Sequence, residues 1–470
     1  MLGELAKLIG AEHVLAAPAQ SPYNSDASNR RGLRGHADAV ALPGSAQEVA
    51  EVVRWCYAHD VPLVPRGGGT GLMGGAVPTQ GGVVLSLERL RAVRELEPAL
   101  WRMLPEAGVS THDVQRLARE SGLFFGPDPG ASEQSQIGGN VATNAGGAHA
   151  LKYGATGAWV AGLEAVLAPG ELVQLGGWAR KDVAGYDLKD LLIGSEGTLG
   201  VITAVRLRLL PAREAQIAQV VFVRTRAQGC AAMLSVLAAG IEAAAMDFAD
   251  GAALAHVAGG YPGEAPHGAG FALLIEVDGT HEQARAQADE LRELLGDGAL
   301  AIDRPRDAAA LWRWRDGFNG VLSGVRGAKV SEDVSFPVER LQEGLERFEE
   351  LAARRGLSSC AFGHGGDGNV HATVLVDPAD DAELDRARAL GEELFALVGE
   401  LGGSIAAEHG VGWLKRGLLA SQWDARAVAL HEQIKRAFDP KGLLNPGKKL
   451  ARPPHAGVAD DERRPARGSS

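Results

Sequence analysis

Along this chain, apolar positions fall in short runs separated by turns rich in glycine and polar residues. A short N-terminal helix leads into a polar loop over 20–34. Ser45, with Glu48 three residues on as a capping box, predicts a helix over 45–59. A strand-like VPLVP (61–65), a glycine loop and a second strand VVLSL (83–87) follow, and another helix starts near Thr111. Residues 126–200 read as loops and short strands, ending in a long strand at 201–210 with a boundary at Pro211. Beyond it come a strand IAQVVFV (217–223), an Ala-rich helix near 227–239, a strand FALLIEV (271–277) and a helix over 280–295. That alternation predicts an α+β layer, an antiparallel sheet with helices on one face. Two late helices are expected near 381–399 and 424–437, and the charged, Pro-rich tail beyond 453 is expected to be disordered.

Composition narrows the function. With 470 residues, two domains plus extensions are expected. Of the 63 glycines, 26 fall between Gly67 and Gly200, interleaved with apolar runs and without a G-X-Y period, which implies backbone held close against a ligand. A net charge of −12 with no Lys/Arg stripe argues against nucleic acid and anionic membrane surfaces as partners. Cys56, Cys230 and Cys360 are odd in number and widely spaced, so a reducing cytoplasm is expected rather than a disulfide or metal framework. The first residues lack a basic flank and a sustained apolar stretch, and no run of 18 apolar residues occurs. A spanning helix is not expected; peripheral contact at the inner face of a membrane stays open.

Gly69-Thr70-Gly71-Leu72-Met73-Gly74 fits the letters of the dinucleotide fingerprint, but a strand rather than a helix follows, so the Rossmann mode is rejected. No Walker-type phosphate loop occurs. The alternative is an anion nest of successive backbone N–H groups from Gly67 to Gly75. Three further stretches accompany it: Gly126-Pro127-Asp128-Pro129, the run from Gly138 to Gly147, and the segment from Lys181 through Tyr186 to Gly200. In this order and spacing, over 35–212, they resemble the FAD-binding domain of the vanillyl-alcohol oxidase / p-cresol methylhydroxylase (PCMH) flavoprotein family. The resemblance implies an extended FAD whose pyrophosphate meets Gly67, Gly68, Gly69, Thr70, Gly71 and Gly74, with Arg66 also in the cofactor site. Asp128, Pro129, Gly139, Thr143, Ala145, Gly146, Glu196, Gly200 and Ile202 would line the remainder. Relatives more often carry Arg where this chain has His149, which is read as an ordinary lining residue, with FAD held non-covalently.

In the second half, Asp367-Gly368 between SSCAF and VHATVLV signals a hairpin that brings His364 and His371 together. Ser404 to Gly412 adds Glu408 and His409. Two imidazoles and one carboxylate leave positions open on a divalent ion, as a catalytic site requires. Neighbours in a regular strand point to opposite faces, so Glu408 and His409 share a site only if the backbone bends, which Gly410 and Gly412 allow. Over 213–450 these segments resemble the C-terminal domain of the FAD-linked D-lactate, glycolate and D-2-hydroxyglutarate dehydrogenases. So do Leu311 to Arg315, Lys329 to Pro337, and the ending from Asp439 to Lys448, which contains Asn445.

The resemblance implies His364, His371 and Glu408 as ligands of zinc or manganese, His409 as the active-site base and Arg315 as the carboxylate anchor. Asn445 would join the cofactor site. Ser331 stands where 2-hydroxyglutarate enzymes carry Lys, and Asn319 where they can carry Thr; Lys329 lies on the same strand face as Ser331 and is the candidate substitute. The implied activity is oxidation of a D-2-hydroxy acid, with electrons leaving to a quinone, a cytochrome or an electron-transfer flavoprotein. A homodimer is compatible with it. An O2-using oxidase and a non-catalytic FAD-binding subunit are the alternatives. The expected division is an arm over 1–34, the FAD-binding domain over 35–212, the substrate and metal domain over 213–450, and a tail over 451–470.

Overall fold

A parallel strand buried on both faces needs an unbroken apolar run, and Val83, Val84 and Leu85 are all fully buried. In the computed structural model of the protein, residues 1–16, 22–305 and 307–450 are described, so the expected disordered tail lies outside the described residues. The first sheet has the order Val14–Ala16, Ala39–Ala41, Val83–Ser86, Leu63–Arg66; its last three strands are parallel. The helix Ala46–Ala58 covers it with Val49, Val52, Val53 and Cys56. Ser45 accepts from the Glu48 N–H at 3.1 Å as expected, but the Glu48 carboxylate takes the Gly44 N–H at 2.7 Å rather than that of Ser45.

The C-terminal end returns to this sheet. Leu63 donates to the Leu443 carbonyl at 2.9 Å and accepts from the Asn445 N–H at 2.7 Å. Leu443 and Leu444 enter the same core, each contributing about 2 kcal/mol by burial.

The second sheet, Val93–Glu97, Arg102–Pro105, Val201–Arg208, Val160–Leu167, Glu171–Gly176, is antiparallel. Residues 126–200 are more regular than the pattern suggests. Val160–Leu167 is an eight-residue strand whose apolar run is interrupted by Glu164, buried against Arg94, Gln174 and Thr203. Ile137–Thr143 is a helix despite Gly138 and Gly139; close packing explains the first glycine, since a Cβ at Gly138 would stand 2.5 Å from that of Ala107.

The third sheet has seven antiparallel strands in the order Ala301–Asp303, Ala215–Val223, Phe271–Gly279, Ala245–Asp250, Ser358–His364, Asn369–Val376, Ala328–Ser335. The expectation of helices on one face is corrected: both faces are covered. Val221, Val223, Leu273 and Ile275 meet helices Arg226–Ala238 and His281–Gly296 on one side, with Leu341–Arg354 and Asp381–Glu400. Val220, Phe222, Ala272 and Leu274 meet Gly251–Val257, Ala308–Asp316 and Phe318–Val325 on the other. The physical reason is visible in VVFV and FALLI, where both alternating sets are apolar, the pattern of a strand buried on two sides. Among the described residues no helix is long and apolar enough to cross a membrane.

Candidate active site

Four adjacent strands of the third sheet each place a polar side chain at the same end. Asp247 pairs with His364 across one strand boundary and Asp333 with His371 across another. The hairpin forms as expected, with Gly368 in the left-handed conformation at its turn. Residues 404–412 form no regular strand, and Gly410 and Gly412 take positive φ values of 80° and 51°. The bend puts Glu408 and His409 on one site.

Three imidazoles surround the Glu408 carboxylate: His364 Nε2 is 3.8 Å away, His371 Nε2 3.6 Å and His409 Nε2 3.4 Å. The rings of His371 and His409 stack at 5.5 Å, and that of His364 stands edge-on to His371. Behind them lie two buried carboxylates that sequence reading missed. Asp247 Oδ1 is 2.8 Å from His364 Nδ1, and Asp333 faces Nδ1 of both His371 and His409 at 4.0 and 3.9 Å. Asp333 also accepts the N–H groups of Ala407, Glu408 and His409 at 3.1, 2.9 and 2.9 Å, and the Asn369 amide at 2.7 Å. It therefore shapes the loop that carries Glu408 and His409. Their only sequence signal was an acid inside an apolar strand run, as in Met246-Asp247-Phe248.

Burial drives the His371 imidazole down to about 3, so it is neutral and its nitrogen lone pair is free for a cation. Burial also works against charge on His364, but Asp247 outweighs it and raises the group to about 9. Burial opposes ionisation of Glu408, yet His409, His364 and His371 hold it down to about 2. Donors on one zinc ion stand about 3–3.5 Å apart, given bonds of about 2.0–2.1 Å. The spacings around Glu408 are close to that, so the residues fit a divalent ion. The tightest group of donors, within 4.8 Å of one another, is Asp333, His371, Glu408 and His409. Asp333 is already saturated by hydrogen bonds, which leaves it the role of orienting the rings. His364 reaches the second oxygen of Glu408 from the other side.

Arg315, on helix Ala308–Asp316, is buried with its Nε donating to Asp247 and its Nη2 3.5 Å from His364 Nδ1. Its guanidinium and the Lys329 ammonium lie 5.6 and 5.2 Å from the ring centre of Phe362. Lys329 donates to Asn319 Oδ1 and has no carboxylate partner among the described residues; burial pulls it down to about 8. Ser331 is occupied by Thr373 at 2.9 Å.

The glycine-rich half faces this cluster. A Cβ at Gly68 would overlap the Gln134 carbonyl oxygen, and one at Gly69 the Arg66 guanidinium, whereas at Gly67, Gly71 and Gly139 nothing lies closer than 3.5 Å. The loop is thus closed on its back and open on its front. Gln136 Oε1, which a Cβ at Gly67 would approach to 3.6 Å, and Asn445 Oδ1 are buried without a partner among the described residues. An open backbone cradle with orphaned polar atoms fits an extended nucleotide. Asn445 Nδ2 joins the Gly75 and Glu196 carbonyls at 2.8 and 2.7 Å. Glu196 turns its carboxylate to the Val411 and Gly412 N–H groups, which ties the cradle to the loop of His409. Gly146 comes within 3.5 Å of Glu408, measured from an added Cβ. A cavity of about 430 Å³ runs from Thr143, Asn144 and Glu196 to Glu408.

Arg66 bonds the Ser25 carbonyl of the N-terminal arm, Thr143 caps back onto Gly139, and Ala145 accepts from Thr156. Thr70 and Pro129 are half-buried beside these loops. Gly200 and Ile202 pack against the strand Val160–Leu167. The stretch from Lys181 to Asp187 is not gathered into the cradle: Val183 and Tyr186 are 98% and 97% exposed. Both ring nitrogens of His149 are engaged by carboxylates, Asp128 and Glu276.

Residues 37–176 match the family described as "FAD binding domain", and residues 212–449 match "FAD linked oxidases, C-terminal domain". The glycolate oxidase subunit GlcD of Bacillus subtilis is 35% identical over 419 residues, covering 88% of this chain and 89% of that protein. The D-2-hydroxyglutarate dehydrogenase of Xanthomonas citri pv. viticola is 37% identical over 434 residues, covering 87% and 88%. The structure of p-cresol methylhydroxylase with substrate bound superposes with a TM-score of 0.78 at 18% identity, over 96% of each chain, which establishes a shared PCMH-type fold. Matches of this extent over both halves place the chain in the family of FAD-linked oxidases.

Proposed function

We propose that the chain is an FAD-dependent dehydrogenase that converts a D-2-hydroxy acid into the 2-oxo acid, with residues 35–212 holding the flavin and 213–450 the metal and substrate. The observation that carries this reading is the meeting of three carboxylate-backed imidazoles at Glu408, beside Arg315 and opposite the Gly146 turn. Relatives named for glycolate and D-2-hydroxyglutarate support the substrate class.

Arg315, steadied by Asp247 through Nε, offers its terminal nitrogens to the substrate carboxylate in a two-pronged grip. His364, His371 and Glu408 would hold a divalent ion, and the chemistry such an ion would supply is polarisation of the α-hydroxyl, lowering its pKa. His409 takes the hydroxyl proton at Nε2, and Asp333, facing its Nδ1, stabilises the imidazolium that forms. Bound FAD would supply the acceptor for the α-hydrogen and its electron pair, and a separate quinone, cytochrome or electron-transfer flavoprotein would collect the electrons. Lys329, a half-buried cation without a carboxylate partner among the described residues, favours a substrate with a second carboxylate at its far end.

The test is anaerobic bleaching of the purified flavoprotein by D- and L-forms of 2-hydroxyglutarate and lactate, and by glycolate, with metal content measured alongside. D-acids should bleach the flavin and a chelator should slow it. Full turnover in air without another acceptor assigns an oxidase instead. A flavin that no 2-hydroxy acid bleaches sinks the enzymatic reading in favour of a non-catalytic subunit.

A further inference from the structure

His149 follows the Gly146-Gly147 turn and opens the short helix Ala150–Tyr153. Its Nδ1 is 2.6 Å from Asp128 Oδ2 and its Nε2 is 3.0 Å from Glu276 Oε1. Asp128 belongs to the flavin side; its Oδ1 also accepts the His149 N–H at 3.3 Å. Glu276 belongs to the strand Phe271–Gly279 and is almost fully buried. The other oxygen of Glu276 accepts the Trp312 indole N–H at 2.6 Å. Trp312 lies one turn before Arg315 on the same helix, so the two side chains share a face. The chain of contacts thus runs from the flavin-side loop through one imidazole to the helix of the carboxylate anchor.

A neutral imidazole has one N–H to donate, and here both nitrogens meet carboxylate oxygens, so the ring must be protonated to satisfy them. We propose that His149 is a positioning residue whose cationic ring bolts the flavin-side loop to the helix bearing Arg315 and so sets where the substrate carboxylate stands relative to the flavin cradle. This rests on the reading of Arg315 as that anchor. An arginine at this position would hold the same two acids at every pH; the histidine makes the bolt titratable. Burial opposes its charge, but Asp128 and Glu276 together raise it to about 10. Arg213 lies 3.9 Å from Glu276, Asp278 gathers Lys152, Tyr153 and Arg213 alongside, and Asp316 ends the helix of Trp312. The sign follows from linkage. The folded-state value lies above the ordinary one, so the stabilisation is complete below about pH 6.5 and is lost as pH rises through about 10.

The experiment compares holoenzyme of the wild type, His149→Arg and His149→Gln between about pH 6.5 and pH 10. KM and kcat for flavin reduction are measured, together with the thermal midpoint, a readout independent of turnover. Wild-type KM should rise about twofold by pH 10, where half of the His149 rings have lost their proton, while that of His149→Arg stays flat, with kcat less affected. His149→Gln should show the raised KM at every pH, and His149→Arg should restore the low value and keep it flat. The wild-type midpoint should fall with pH relative to that of His149→Arg. Superimposable KM profiles for all three proteins overturn the proposal. If no 2-hydroxy acid reduces the wild-type flavin, the substrate reading has failed and the bolt is judged on the thermal midpoints alone, where parallel curves for wild type and His149→Arg reject it.

Discussion

Replacing Asp333 by Asn changes almost no volume and removes one charge, so its consequences can be worked from the contacts. Three backbone N–H groups converge on one oxygen of Asp333, and the Asn369 amide donates to the other. A hydrogen bond to a charged acceptor contributes about 1.5–3 kcal/mol, against about 0.5–1.5 for a neutral one. Keeping the oxygen of the substituted amide toward the loop weakens each of the three by about 1 kcal/mol. The new amide nitrogen then faces the Asn369 N–H, donor against donor, which adds about 1–3 kcal/mol. Other anchors limit the damage: Lys415 Nζ still holds the Ile405 carbonyl at 2.6 Å, and Glu196 still holds Val411 and Gly412. The expected result is a folded, yellow protein. Flavin reduction should slow about 100-fold and divalent-metal affinity should drop about 10–100-fold. Stopped-flow anaerobic reduction, flavin absorbance and metal analysis on the same preparation measure all three. Reduction within about threefold of wild type at unchanged metal content would refute the reasoning that Asp333 places Glu408 and His409.

Three further outcomes follow from the same geometry. His409→Ala should retain FAD while flavin reduction falls by about 10²–10⁴-fold; reduction at the wild-type rate would remove His409 as the base. Gly68→Ala should destabilise the protein even without flavin, because its Cβ overlaps Gln134, whereas Gly71→Ala meets nothing closer than 3.8 Å and should leave the thermal midpoint of the apoprotein unchanged while weakening FAD binding, checked by calorimetry on both. Lys329→Met should lower kcat/KM for D-2-hydroxyglutarate about tenfold or more relative to D-lactate; equal losses on both acids would deny Lys329 a role at the far carboxylate.

The helices at Ala46–Ala58, Arg226–Ala238, His281–Gly296, Asp381–Glu400 and Ala425–Phe438 were legible because capping residues and apolar periodicity are local signals. The His364/His371 hairpin was legible for the same reason, an Asp-Gly turn between two strand-like runs. The strand Ala245–Asp250 was not, since it continues an apolar, Ala-rich stretch with no change of period. The second covering layer of the large sheet was also missed, although the doubly apolar runs 220–223 and 271–275 contain it.

What the sequence by itself determined is the set of side chains able to do chemistry. It holds glycines where a Cβ would block the backbone, as at Gly68, and imidazoles next to turns that can present them. Which carboxylates stand behind those imidazoles was decided only by tertiary structure. Asp247 and Asp333 are 86 residues apart, and each meets its histidine through strand pairing across the sheet. Asn445 reaches the glycine-rich cradle because the chain end adds to the first sheet, and His149 sits between two carboxylates because Asp128 and Glu276 arrive from different halves. Local propensity carries no record of such partners. They are selected when burial removes water and each polar group must be satisfied by whatever the fold has brought within reach.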